Sequence, residues 1–239
     1  MMQVYSGRKL KMNSQEVRIF ETKERILANN DKAAALVRER MDDKKCLFIN
    51  LMSSPGAGKT TTIVKTLEEL GKVRPGVRTG VMEADVDSDV DARTVAGAGA
   101  EAIQLHTGGS CHMDADMTWR GLTQMKPEGL DLIILENVGN LVCPAEFDVG
   151  ADFRVMILSV PEGDDKPLKY PLMFTVSDVL LVNKTDTASI FDFDFDALER
   201  RVHALNPDMK IFPVCAKSGE GFAPWIAWLA EKLDKKCGK

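Results

Sequence analysis

The chain has 239 residues and a formal net charge of -5. This length accommodates one sizeable α/β domain. The balanced charge, without a basic stripe, argues against nucleic acid as the main partner. No apolar run approaches the ~20 residues that a membrane-spanning helix needs, and the first residues lack the apolar core of a signal peptide. Five cysteines do not indicate a disulfide scaffold here, so we expect a reducing cytoplasmic compartment, where cysteines more often bind metals or act in catalysis.

The N-terminal part of the chain is predicted to be a helical segment that precedes the first strand. Residues 13–16 have the pattern of a helix start, and residues 29–31 mark a break between two helical stretches. We expect residues 1–45 to deliver the chain to the first strand as part of the same domain, and residues 46–239 to form the main domain.

A glycine-rich loop follows the first buried strand at residues 46–52. In such a loop, backbone N–H groups and the positive end of a helix dipole converge on phosphate. The Lys59 amine can reach the β- and γ-phosphates, and the Thr60 hydroxyl can ligate Mg²⁺. Ser53 departs from the general pattern G-x-x-x-x-G-K-[ST]. The loop predicts nucleotide binding rather than a simple strand–helix turn, through Pro55, Gly56, Ala57, Gly58, Lys59, Thr60 and Thr61.

Apolar strands then alternate with amphipathic helices along the chain. Repeated βα units predict an α/β, P-loop NTPase three-layer fold, with a mostly parallel sheet covered by helices on both faces. Ligands should bind at the carboxyl ends of the strands. The predicted strands lie at 79–83, 102–105, 130–135, 154–158, 178–182 and 210–214, and the helices begin near Lys59, Asp91, Met113 and Phe222.

A Cys-His pair follows one of these strands and a further cysteine follows another. Cys111 and His112 come after two glycines, and Cys143 comes after the strand at 130–135, so all three should sit at carboxyl ends of neighbouring strands. Thiolate and imidazole suit Zn²⁺ or Ni²⁺. Three ligands do not close a tetrahedral site, which leaves an open position or invites a second subunit. The alternative interpretation, a small buried hydrophobe, is retained for Cys46, Cys215 and Cys237.

Two loops, after the last two predicted strands, indicate which nucleotide base is bound. Asn183-Lys184-Thr185-Asp186 matches the N-K-x-D pattern of guanine-specific folds. A carboxylate at Asp186 accepts hydrogen bonds from guanine N1–H and the N2 amino group, which adenine cannot offer. The Lys184 stem can lie over the base, and Asn183 can tie this loop to the phosphate loop. The second loop, Cys215-Ala216-Lys217-Ser218, resembles the S-A-K motif that supports guanine O6. Each tetrapeptide alone is an ordinary polar loop, but together they favour GTP over ATP.

These motifs resemble those of the HypB family of hydrogenase nickel-incorporation GTPases, and the resemblance covers nearly the whole chain. Its most specific parts are the Cys-His motif and E-N-V-G-N-L-V-C-P. Ser53, unusual for phosphate loops in general, agrees with this family. The matching segments are 50–60, 107–112, 136–144, 159–171, 183–186 and 216–221.

The resemblance implies a GTP-hydrolysing metallochaperone that delivers nickel during [NiFe]-hydrogenase maturation. A homodimer promoted by GTP would be the switch, with a nickel-chaperone partner and the hydrogenase large subunit as partners. By resemblance, Lys59, Asp85, Asp91 and Glu136 are catalytic, Thr60, Asp85 and Glu136 hold Mg²⁺, and Cys111, His112 and Cys143 bind nickel or zinc where two subunits meet.

Some alternatives stay open at this point. The urease-accessory nickel GTPases carry Cys-Pro-His, whereas Cys111 and His112 are adjacent here. A regulatory GTPase with a structural zinc is a different class, and a nickel buffer is disfavoured because the chain has only three histidines. The sequence also lacks a cysteine-rich N-terminal nickel motif, so we do not expect a separate tight nickel store.

Overall fold

A seven-stranded parallel sheet organises the fold. The computed structural model describes residues 9–12, 15–18, 22–85 and 90–238, with side chains described for 27–84 and 94–238. The strands are β1 (Lys9–Met12), β2 (Gln15–Arg18), β3 (Leu47–Ser53), β4 (Thr79–Asp85), β5 (Glu101–His106), β6 (Leu132–Glu136), β7 (Phe153–Ser159), β8 (Val179–Asn183) and β9 (Lys210–Pro213). The helices are α1 (Thr22–Asp43), α2 (Lys59–Val73), α3 (Val90–Gly97), α4 (Ala115–Met125), α5 (Cys143–Glu146), α6 (Lys166–Lys169), α7 (Pro171–Val176), α8 (Phe195–Leu205) and α9 (Phe222–Cys237).

The sheet has the strand order β5-β4-β6-β3-β7-β8-β9, and every neighbouring pair in it is parallel. Strands β3, β6 and β8 are buried along their whole length because helices cover both faces of the sheet. One face packs against α2, α3 and α9. The other packs against α1 and α4 at one end and against α7 and α8 at the other. The predicted fold class is confirmed.

The N-terminal segment differs from the sequence prediction. Strands β1 and β2 form an antiparallel pair in which Leu10 lies opposite Val17, where a helix start was expected. The alternation of polar and apolar residues in β1, Lys-Leu-Lys-Met, fits a strand of period two better than a helix. Helix α1 also continues through the predicted break, because Asn30 directs its polar side chain to other elements. That residues 1–45 belong to the same domain stays a prediction.

Helix α1 is fastened to the end of the loop before β7. Asn30 Nδ2 donates to the carbonyl of Asp148 at 2.8 Å, and Arg38 Nη2 lies 2.8 and 3.0 Å from the two Asp148 carboxylate oxygens. Burial disfavours the Asp148 carboxylate, but hydrogen bonds from Arg38 and the Gly150 N–H, with the charge of Arg154, outweigh it and lower the pKa of Asp148. Within the described residues, no helix is long and apolar enough to span a membrane.

We expect Arg38→Met to lower the free energy of unfolding by about 1 kcal/mol at neutral pH, because the pair is only partly buried. A lowered folded-state pKa contributes stability that is present above the unfolded pKa of ~3.9 and is lost as pH falls through the folded value. The difference between wild type and variant should therefore shrink on acidification. Urea unfolding across a pH series measures it, with Asp148→Asn as the non-titrating control. A difference that stays constant down to about pH 3 would contradict this assignment.

Candidate nucleotide and metal sites

The phosphate loop joins β3 to α2 through two glycines in left-handed conformations. Gly56 has φ 75° and Gly58 has φ 95°. A Cβ on Gly58 would lie 2.5 Å from Asn183 Nδ2, so this position has no space for a side chain. Gly58 also cannot cap α2, which begins at Lys59, because it has no side chain. The first N–H groups of α2 are thereby left to an anion.

Lys59, Thr60 and Glu136 converge beside this loop. Glu136 is the last residue of β6 and is 5% exposed. The Thr60 hydroxyl lies 3.3 Å from each Glu136 carboxylate oxygen, and the Lys59 amine lies 3.7 Å from one of them. Hydroxyl and carboxylate oxygens are the hard ligands that Mg²⁺ prefers. The donor set therefore fits Mg²⁺ at the position where the β- and γ-phosphates would lie.

The other two magnesium and catalytic candidates come from the neighbouring strand and helix. Asp85 is the last residue of β4, which pairs with β6, and Asp91 lies in the first turn of α3. The backbone of both residues is described, but their side chains lie outside the described part of the chain. Their predicted roles stay predictions.

The guanine loop is tied to the phosphate loop. Asn183 Nδ2 donates to the Ala57 carbonyl at 2.9 Å, and Lys184 Nζ donates to the Gly56 carbonyl at 2.7 Å. Asn183 Oδ1 accepts from the N–H groups of Lys184 and Ala216 at 2.8 and 3.0 Å. The predicted tie between Asn183 and the phosphate loop is therefore present, and the same side chain also positions the loop after β9.

Cys215 is buried and also contacts the guanine loop. Its side chain is buried as predicted, but its Sγ also donates to Asp186 Oδ1 at 3.3 Å. The thiol therefore orients the carboxylate that the sequence assigns to base recognition. Lys217 follows Ala216 on the exposed side of the same loop, and Pro55 and Thr61 are exposed at the rim of the phosphate loop.

The metal candidates lie together in space. One ligand atom each from Cys111, His112 and Cys143 falls within 4.8 Å of the others, and among the described residues this is the only such group of three or more His, Cys, Asp or Glu. The two sulfurs are 3.0 Å apart, and Cys111 Sγ is 3.7 Å from His112 Nδ1. Two thiols and an imidazole suit Ni²⁺ or Zn²⁺.

The local sequence explains how Cys111 and His112 are presented. Gly108 and Gly109 adopt positive φ of 62° and 91° and turn the chain after β5. The Asp114 side chain caps α4 by accepting from the Met117 N–H at 2.7 Å, which ends the loop directly after the Cys-His pair. The pair is therefore held between a glycine turn and a fixed helix start.

The ring of His112 stacks on Phe147, with centroids 3.9 Å apart and an interplanar angle of 25°. Burial lowers the pKa of His112, although Asp114 and Glu146 oppose this effect. The hydrogen bond with Cys111, and then burial, raises the pKa of the Cys143 thiol. Burial therefore favours the neutral imidazole of His112, and the Cys143 thiol would have to lose its proton to ligate a metal ion.

The sheet order corrects one expectation about this cluster. Cys111 follows β5 and Cys143 follows β6, but β4 lies between these strands, so they are not neighbours. The cluster forms because the loops after β5 and β6 reach across the end of β4. Asn140 Nδ2 contributes by donating to the Cys111 carbonyl at 3.3 Å.

Sequence reasoning missed the residues that hold these loops. Asn137 and Asn50 are fully buried, and their amides are joined by a hydrogen bond of 3.1 Å. Gly139 lies against the phosphate loop, since a Cβ there would be 3.1–3.2 Å from atoms of Pro55. Asn50 is the one sequence feature that could have revealed this pair, because a polar amide within an otherwise apolar strand needs a buried hydrogen-bond partner.

Comparison with known proteins shows the family. The profile of the CobW/HypB/UreG nucleotide-binding domain matches residues 47–213, a range that contains the phosphate loop and the Cys-His cluster. Hydrogenase maturation factor HypB of Azotobacter chroococcum mcd 1 is 47% identical over 214 residues, which are 89% of this chain and 68% of that protein. The chain belongs to the HypB family.

Two solved structures of HypB proteins are similar over most of the chain. HypB from Helicobacter pylori, in complex with nickel, has a TM-score of 0.80 and 36% identity, covering 87% of this chain and 96% of that one. HypB from Archaeoglobus fulgidus has a TM-score of 0.79 and 37% identity, covering 86% and 99%. The family resemblance and the P-loop fold predicted from the sequence are confirmed.

We expect Gly139→Ala to weaken GTP binding roughly tenfold, because the added methyl must push the backbone of Pro55 and overpacking costs ~1–3 kcal/mol. Gly71→Ala is the matched control, since Gly71 lies in α2 and a Cβ there meets nothing within 4 Å. Nucleotide titration by calorimetry measures both variants. Equal affinities in the two variants would mean that Gly139 does not constrain the phosphate loop.

Proposed function

We propose that this chain is a GTP-hydrolysing metallochaperone that carries nickel during [NiFe]-hydrogenase maturation. One observation carries the proposal. The segment that begins with Glu136, beside Lys59 and Thr60, ends with Cys143 in the Cys-His cluster. One segment of eight consecutive residues, 136–143, therefore joins the candidate nucleotide site to the candidate metal site, which is the arrangement expected of a protein that uses nucleotide state to control a metal.

The nucleotide chemistry is assigned to residues at the strand ends. Thr60, Glu136 and Asp85 would hold Mg²⁺, which when bound supplies charge neutralisation for the phosphates. Lys59 would turn from Glu136 to the γ-phosphate and stabilise the charge that develops there. Asp91 is the candidate that orients the attacking water. With no arginine assigned to this charge, slow intrinsic hydrolysis is expected.

Guanine selection is assigned to Asp186, supported by the Cys215 thiol and framed by Lys184, Ala216 and Lys217. Its carboxylate would accept from N1–H and the N2 amino group of guanine. The Lys184 amine is already held at the Gly56 carbonyl, which leaves its aliphatic stem to cover the base.

We expect Asp186→Asn to bind GTP roughly 10–100-fold more weakly, because an amide N–H would face the guanine N2 amino group, and an unsatisfied donor costs ~1–3 kcal/mol. Xanthosine triphosphate carries a 2-oxo group that accepts from the new amide, so the variant should prefer it. Titration of GTP, ATP and xanthosine triphosphate into both proteins measures the affinity of each nucleotide and tests this expectation. Retention of the wild-type preference for GTP would remove Asp186 from base recognition.

Nickel is treated as cargo held by Cys111, His112 and Cys143. The Helicobacter pylori relative solved in complex with nickel supports this assignment. Cys111 is exposed and the other two are half-buried, so the cluster is open to solvent and to a second subunit. A closed, buried site would be expected of a structural zinc, which disfavours the regulatory GTPase with a structural metal.

The proposed switch is a homodimer promoted by GTP. Two copies meeting beside the open cluster would complete each other's coordination through an isologous interface. A metal that binds the dimer better must by linkage favour the dimer, and so must reinforce any preference of GTP for it. Hydrolysis would then loosen the dimer and release nickel to a nickel-chaperone partner and the hydrogenase large subunit.

Sedimentation with GDP or a GTP analogue, with and without Ni²⁺ or Zn²⁺, tests the switch. We expect the dimer fraction to rise with the analogue and to rise further with metal, and Cys143→Ala to lose only the response to metal. Cys237→Ala is the control, since that thiol contacts the Lys45 carbonyl instead. A dimer fraction that depends on neither nucleotide nor metal would contradict the switch. Metal that stays bound to the protein after GTP hydrolysis would contradict the carrier role.

A further inference from the structure

Asn137 is the residue that follows Glu136, and its side chain is fully buried. Its amide oxygen accepts from the N–H groups of Met113 at 3.2 Å and Val138 at 2.9 Å. Its amide nitrogen donates to Asn50 Oδ1 at 3.1 Å, and its backbone N–H donates to the Leu51 carbonyl at 2.9 Å. Both polar atoms of the side chain therefore have hydrogen-bond partners, at Asn50 in β3, at Met113 in the loop after β5 and at the adjacent Val138.

These bonds connect the two sites by short paths. Met113 directly follows His112, so the amide oxygen of Asn137 positions the backbone that carries the imidazole. Asn137 also directly follows Glu136 in the chain, and the Glu136 carboxylate contacts Thr60 and Lys59. A displacement of the Glu136 backbone during phosphate binding would also displace Asn137, and the buried hydrogen bond to the Met113 N–H would then shift or break.

The amide pair is also incompletely satisfied in the arrangement seen. Asn50 Nδ2 is buried and has no hydrogen-bond partner among the residues described. An unpaired buried donor is costly, so a second arrangement of this pair that satisfies it has free energy to gain. A network of this kind can adopt two discrete states rather than deform continuously.

We propose that Asn137 is the positioning residue that couples the nucleotide site to the Cys-His cluster. This inference rests on the proposed function, in which nucleotide state controls nickel. The amide oxygen of Asn137 transmits the position of Glu136 to the backbone of His112, and Val138 carries the same displacement towards Cys143.

The fold provides a matched control residue. Asn30 of α1 is also buried, accepts from the Ala115 N–H at 2.9 Å and donates to the Asp148 carbonyl at 2.8 Å. It anchors the same segment after His112, only two residues beyond the anchor of Asn137. Its partners lie on α4 and before β7, however, and not on the strand end that carries Glu136. Asn30 should therefore support the cluster without coupling it to nucleotide.

The measured quantity is the ratio of the two Ni²⁺ dissociation constants obtained with GDP and with a non-hydrolysable GTP analogue. Couplings between sites are typically ~5–150-fold, and the same factor must appear as the change that metal causes in the preference for the GTP analogue over GDP. We expect Asn137→Ala to bring both ratios close to one. We expect Asn30→Ala to keep the wild-type ratios, even where the individual affinities weaken.

Each outcome has a defined meaning. Wild-type ratios in folded Asn137→Ala would overturn this inference and leave the proposed function intact. Ratios of one in the wild type would show instead that the proposed nucleotide control fails. Equal losses of metal affinity in both nucleotide states, as for Asn30→Ala, would make Asn137 a structural anchor and also overturn the inference. If thermal unfolding shows that Asn137→Ala is not folded, Asn137→Ser replaces it under the same criteria, since its hydroxyl is shorter than the amide.

Discussion

The hydrogen bond from Asn183 to the Ala57 carbonyl holds the nucleotide site together. It joins the end of β8 to the phosphate loop at 2.9 Å, in a position where a side chain on Gly58 could not fit. Because Asn183 also receives the Ala216 N–H, one buried amide fixes the loops after β3, β8 and β9 relative to one another. Such preorganisation reduces the entropy that a ligand must overcome on binding.

Glu162 holds the phosphate loop from another direction. Its carboxylate accepts from Ser54 Oγ, and from both the N–H and the hydroxyl of Ser159 at 2.8 Å, and it lies 3.7 Å from the Lys166 amine. Together with Gly139 against Pro55 and with Asn183 at the Ala57 carbonyl, these contacts fasten the loop to the ends of β6, β7 and β8. A displacement of the phosphate loop would therefore also displace the segments after β6, β7 and β8. The segment after β6 is the one that leads to Cys143.

The extent to which sequence predicted this arrangement depends on how local each signal is. The phosphate loop and the N-K-x-D loop follow apolar strands directly, so residues such as Lys59 and Asp186 could be assigned from their neighbours in the chain. The strand order could not, because the separation of β5 from β6 by β4 depends on packing between distant segments. Asn30 was misread for the same reason: locally it resembles a helix break, but its amide is satisfied by Ala115 and by the Asp148 carbonyl. Asn137 lies in the E-N-V-G-N-L-V-C-P motif, but the motif does not reveal its role, which appears only when the loop after β5 is placed beside it.

The Cys-His cluster has the properties expected of a site that must both hold and release a metal. The thiol–thiol contact raises the pKa of Cys143, so a metal ion would have to displace a proton to bind there, and reprotonation would favour its release. The lowered pKa of His112, caused by burial, keeps the imidazole available as a ligand. Since the ligands come from two loops rather than from one rigid element, a small displacement between the ends of β5 and β6 changes the distance between the two sulfurs. Tight binding would then require the loops to be held in a fixed relative position, which is the condition that Asn137 would control in the proposed coupling.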